Sequence, residues 1–159
     1  MLEFFSPKVE RMRRKRDVAG LIAALRHGNP RVRRAAANAL VEIPDRRSRP
    51  EPLIAALGDS DPAVRANAAL ALGELEGARP DTPLAAIVDP LVARLGDESP
   101  SVRAMAASAL ARMKDPRAVE PLIGLLEDDN ELVRQTARSV LRGFEDPRAD
   151  EALSAAPLS

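Results

Sequence analysis

A Val-Arg pair recurs four times, at Val32-Arg33, Val64-Arg65, Val102-Arg103 and Val133-Arg134, and each pair opens an alanine-rich stretch. Each valine stands seven residues after a leucine (Leu25, Leu57, Leu95, Leu126), and the valines are 32, 38 and 31 residues apart. A period in that range belongs to stacked supersecondary units, none of which can bury its apolar face without a neighbour.

Within each unit the spacing predicts two helices. Leu53, Ile54 and Leu57 mark the first helix of the second unit, and Gly58-Asp59-Ser60 marks the turn after it. Asp61-Pro62 then reads as a helix start, because an Asp side chain caps orphan amides and Pro lacks an amide that is orphaned at that position anyway. Asn29-Pro30, Ser99-Pro100 and Asn130-Glu131 repeat the signal. Behind it, Val64, Ala68, Ala71, Leu72 and Leu75 fall on one stripe of a second helix. The matching stripes are Val32, Ala36, Ala39, Leu40, Ile43, then Val102, Ala106, Ala109, Leu110, Met113, and last Val133, Ala137, Val140, Leu141, Phe144.

The whole chain, 1–159, is expected to form one repeat domain. Its parts are an N-terminal cap helix over 1–16, repeats at about 17–48, 49–85, 86–117 and 118–146, and a C-terminal cap over 147–159. The joints differ in length. Lys114 to Pro121 reads as a tight turn, the link from Ile43 to Leu53 is one residue longer, and the link from Leu75 to Leu91 is seven longer. That longest link runs through Gly77, Pro80 and Pro83, and Leu84–Val88 is expected to add a helical turn before Pro90. It marks a hinge or contact loop on one face of the stack.

Composition narrows the function classes. There are three Phe, no Tyr or Trp and no Cys, which excludes disulfides and thiolate metal sites. No apolar run approaches the roughly 20 residues of a membrane span, and Met1 to Phe5 is short and acidic for a signal peptide. A cytoplasmic, soluble chain without membrane contact is expected. The single histidine, His27, lies in a turn beside Gly28, and no phosphate-loop, nucleophile-elbow or dinucleotide-binding glycine pattern is present. Asp59-Ser60-Asp61 and Asp128-Asp129-Asn130-Glu131 lack the spacing and central glycine of an EF-hand loop. The expectation is no catalytic residue, no metal and no cofactor.

The net charge of zero hides a gradient. Residues 1–49 carry 13 Lys/Arg against 5 Asp/Glu, and residues 50–159 carry 11 against 19. The basic part runs from Arg11 through Arg13, Arg14, Lys15 and Arg16 to Arg26, Arg31, Arg33, Arg34, Arg46, Arg47 and Arg49. Such a patch supports nucleic-acid association as an alternative function, although no aromatics lie among the arginines to stack bases. Opposite charge at the two ends also permits a monomer or weak head-to-tail self-association.

The runs Val119-Glu120-Pro121-Leu122-Ile123 and Asp61-Pro62-Ala63-Val64-Arg65 resemble the HEAT repeat, in the short form first associated with phycobilisome chromophore lyases. The resemblance spans about residues 17 to 148. It implies an all-α, right-handed superhelix with first helices outside and second helices lining a concave face. It also implies a ladder of inter-helix acids and arginines along the stack, here Asp59, Arg65, Asp97, Arg103, Asp128 and Arg134. His27 stands in the first repeat where the others have the acid, so Arg33 is expected either outside the ladder or bonded to a neighbouring repeat. A non-enzymatic scaffold that binds a partner peptide or helix is the leading expectation, with the accessory subunit of a modifying enzyme or lyase as a further alternative. The candidate contact residues on the concave face are Arg34, Asn38, Glu42, Asn67, Leu70, Glu74, Met105, Ser108, Arg112, Gln135 and Ser139. Ala35, Ala66, Ala104, Thr136 and Gly143 are expected to face solvent beside them.

Overall fold

The computed structural model describes residues 6–43, 49–75 and 83–156, and the described residues form helices and turns with no strand. Gly77 and Pro80 of the long link, Arg46 and Arg47 of the basic end, Met1 to Phe5 and residues 157–159 lie outside the described residues.

Four helix pairs follow one another: α2 (Val18–Ala24) with α3 (Pro30–Glu42), α4 (Glu51–Ala56) with α5 (Pro62–Glu74), α6 (Ala85–Arg94) with α7 (Pro100–Met113), and α8 (Val119–Gly124) with α9 (Glu131–Leu141). Before them stands α1 (Pro7–Arg14) and after them α10 (Pro147–Ala155). The architecture is an α-solenoid. Helix α1 packs on α2 and α3, and α10 packs on α8 and α9. Among the described residues α1 thus stands as a second-type helix before the first pair, and α10 as a first-type helix after the fourth.

The caps follow the sequence signals. The side chains of Asn29, Asp61 and Asn130 accept the amides of Arg31, Ala63 and Leu132, and Asp17 accepts that of Gly20. Ser99 occupies the cap position of α7 without a side-chain capping bond. Helical backbone in the fourth pair begins earlier than the spacing predicts. Asp115 accepts the amide of Arg117 and starts a 3-10 turn over Pro116–Ala118 that runs into α8. In the third pair α6 passes unbroken through Pro90. The bond lost there would have used the carbonyl of Ala86, an exposed residue.

Packing is strongest along the second helices, where α5 lies directly on both α3 and α7, and α7 on both α5 and α9. The first helices α2, α4, α6 and α8 make no comparable contact with one another. The row with the closer spacing is the inner one of a curved stack. Small side chains permit that spacing. Val64, Ala68, Ala71, Leu72 and Leu75 are buried, and so are Ala66, Ala69 and Gly73 on the adjoining side of α5. Leu21, Leu72, Leu91, Leu110, Leu122 and Leu141 are fully buried, each contributing about 1.5–3 kcal/mol.

Candidate partner-binding face and arginine ladder

An arginine in the first turn of a helix opposes the helix dipole, so each Val-Arg pair needs compensation. It comes from two directions. Arg65 donates Nη1 to the carbonyl of Asp59, six residues back in its own turn, at 2.9 Å, while its Nε and Nη2 close a fork on the carboxylate of Asp97 in the following repeat. Arg103 does the same with the carbonyl of Asp97 and the carboxylate of Asp128. Arg33 does so with the carbonyl of His27 and the carboxylate of Asp59.

Each acid has a further task inside its own turn, where Asp59, Asp97 and Asp128 accept the amides of Asp61, Ser99 and Asn130. Burial pushes these carboxylates up, and the arginine fork and turn amide more than offset it, leaving all three below the usual range. The rungs therefore tie each repeat to the next. Of the two expectations for Arg33 the second holds: it is bonded to the neighbouring repeat through Asp59, and its rung is complete because the residue before it in the ladder supplies only a carbonyl, which any residue has. His27 even reproduces the turn bond, its Nδ1 accepting the amide of Asn29. Arg134 is the rung that differs. Its Nη1 holds the carbonyls of Asp128 and Asp129, but Nη2 meets Glu131 of its own helix.

The candidate contact residues fall into two groups. Several charges are engaged between repeats: Arg13 donates to Glu42, Arg34 to Asp61, and Arg112 pairs with Glu74. Asn38 also donates to Glu42, and Gln135 to Glu131. The rest form a small, uncharged strip on the inner row, where Asn67, Leu70, Met105 and Ser108 are half-buried and Ser139 is exposed. Ser108 turns its hydroxyl back to the carbonyl of Ala104, and Met105 packs against the core. Ala66 and Ala104, expected at the surface, are buried, because they lie on the sides of α5 and α7 that meet the next second helix.

The family model described as HEAT repeats matches residues 18–89 and 88–157. The chain belongs to the HEAT repeat family. No curated protein matches it. Among solved structures, one engineered protein is 26% identical with a TM-score of 0.62, over 88% of this chain and 68% of that one. A second engineered protein is 25% identical with a TM-score of 0.67, over 88% and 69%. A designed armadillo repeat protein in complex with the peptide (KR)4 shares 20% identity and a TM-score of 0.64, over 93% and 73%, a likeness of fold.

This HEAT repeat chain carries a second set of braces that the Val-Arg reading passed over. Asp115-Pro116-Arg117-Ala118 recurs 31 residues later as Asp146-Pro147-Arg148-Ala149. Arg117 folds onto Asp115 and reaches back to Asp89 on α6, and Arg148 folds onto Asp146 and reaches back to Glu120 on α8. These link successive first helices as the ladder links successive turns. The repeated tetrapeptide was the available signal. Lys114 adds a tie that spacing did not reveal, donating Nζ to the carbonyl of Gly143 and lying 5.5 Å from the centre of the Phe144 ring.

Among the described residues no group of three or more His, Asp or Glu converges as a metal site, and no helix is long and apolar enough to cross a membrane.

Proposed function

We propose that this chain is a non-catalytic scaffold whose inner row of second helices takes a partner peptide or helix. The observation that carries the reading is the neutral strip at Asn67, Leu70, Met105 and Ser108, flanked by charges already engaged in inter-repeat pairs. A strip of that kind recognises shape and backbone hydrogen bonds rather than net charge, and a soft Met suits adaptable contact. Leu70 is the better probe, because Met105 also serves the core. Peptides selected against the whole protein from a random display library should lose binding at least tenfold to Leu70→Asp, with far-ultraviolet circular dichroism unchanged. Equal binding to the variant overturns the reading.

A second reading rests on the α1 end. Lys8, Arg11, Lys15, Arg16, Arg26 and Arg31 are exposed and make no ion pair among the described residues, whereas Arg13, Arg14, Arg33 and Arg34 are held by carboxylates. Six open cations give a polyanion contact with a steep salt slope. Fluorescence anisotropy with a 30-nucleotide single strand at low salt decides it, and a flat titration removes it.

A further inference from the structure

Most hydrogen-bonding side chains of the inner row are spent inside their own helices. Asn38 donates to Glu42, Ser108 to the carbonyl of Ala104, Gln135 to Glu131 and Thr136 to the carbonyl of Leu132. Asn67 of α5 is half-buried and makes no such bond among the described residues. Asparagine is a poor helix former beside Ala66, Ala68 and Ala69, so it weakens α5 and receives nothing back from it. The charges at the edges of the strip are lopsided. In the pairs Arg34–Asp61 and Arg112–Glu74 the arginine is the exposed member, at 46% against 10% and 49% against 24%, and each gives only Nη2 to its acid. Glu42, the exposed acid on this side, is taken by Arg13 and Asn38.

A carboxamide has an acceptor and two donors, and a peptide unit of extended backbone offers the matching N–H and C=O at an open side. A helix has those groups closed on themselves. Docked here it would cover the Asn67 amide unpaired, at the cost of its desolvation. We propose that the inner row takes its partner as an extended segment and not as a helix, with the Asn67 amide closed on one peptide unit. The segment is uncharged where it crosses α5 and α7, and an apolar side chain rests on Leu70 and Met105. A carboxylate meets the unspent nitrogens of Arg112 where the segment leaves the strip. Such a segment is one of the two partners admitted by the inner-row reading, on which the proposal rests.

The probes are short linear peptides selected against the whole protein from a random display library and, in parallel, helices selected from a helical-hairpin scaffold with one randomised face. Linear binders are expected, with Asp or Glu near one end. Asn67→Ala should weaken them about tenfold while the melting temperature holds or rises, which a structural role for Asn67 would not permit. N-methylation of one backbone amide of the peptide should cost as much, with no further loss in Asn67→Ala. The side-chain amide cross-peaks of Asn67 in the ¹⁵N-labelled protein should shift on binding. Replacing the peptide's acid by its amide should cost about threefold, and nothing further in Arg112→Gln. Binding lost in Leu70→Asp but kept within twofold in Asn67→Ala, or enrichment from the helical library alone, overturns the proposal and leaves the inner-row reading standing. Binders indifferent to Leu70→Asp overturn both.

Discussion

Arg65 closes a fork on Asp97, Nε to Oδ2 at 2.9 Å and Nη2 to Oδ1 at 2.8 Å, with the two side chains only 7% and 3% exposed. Asp97 is thereby bonded from two repeats, because its carbonyl also receives Nη1 of Arg103 at 3.0 Å. Of the three inter-repeat rungs this is the most buried, and it sits in the middle of the stack.

Removing one partner of a buried pair strands the other charge, so Asp97→Ala should destabilise by about 3–5 kcal/mol. The double variant Arg65→Met, Asp97→Leu should recover part of that loss, because it strands no buried charge, although the Ser99 amide and the Asp59 carbonyl lose their partners. Glu98→Gln, at a side chain that is itself 84% exposed, should cost under about 1 kcal/mol. Urea unfolding followed by circular dichroism separates the three, and an Asp97→Ala loss no larger than that of Glu98→Gln contradicts the account.

The same rungs set an acid limit. Asp59, Asp97 and Asp128 have carboxylates lowered in the folded state. Their contribution is complete above the unfolded aspartate value near 4 and disappears as pH falls through the lower folded values. Melting temperature should therefore be flat from about pH 7 to 5 and fall steeply below about pH 4. In Asp97→Asn that acid slope should be shallower, and an unchanged slope would point to other groups.

Gly73 has no room for a side chain, since an added Cβ would lie 2.9 Å from Cα and 3.0 Å from Cβ of Ala109 on α7. Gly73→Ala should destabilise by about 1–3 kcal/mol, despite the roughly 1 kcal/mol that alanine gains over glycine inside a helix. Gly124 of α8 has nothing within 4 Å of such a Cβ, so Gly124→Ala should stabilise by about 0.5–1 kcal/mol. Opposite signs in thermal unfolding are the expected result.

His27→Ala should leave the first rung standing, because Arg33 uses the carbonyl of residue 27 and the carboxylate of Asp59. Only the turn bond from the Asn29 amide to Nδ1 is lost, a change of about 1 kcal/mol. A loss as large as that of Asp97→Ala would mean that His27 does more than close its turn.

Much of the fold was legible because it rests on local rules. Asn29, Asp61 and Asn130 announce helix starts by the bonds that they accept from amides two residues ahead, and the stripe from Val64 to Leu75 declares its buried side by spacing. The inner strip was legible in part. Asn67 and Leu70 reach the surface as spacing predicts, whereas Ala66 and Ala104 are covered by neighbouring helices, and alanine gives no sign of which environment it will meet. The ladder residues were legible as a set and misleading as pairs. Asp59 stands six residues before Arg65 and gives that arginine a carbonyl, while its carboxylate belongs to Arg33, 26 residues earlier.

The sequence by itself determined the repeat, its two helices, its caps and its buried stripe, because each depends on residues within one or two turns of one another. Only the tertiary structure decided which arginine holds which acid and which alanines are covered. Those depend on how one repeat lands on the next, and the spacing within a single repeat carries no record of it.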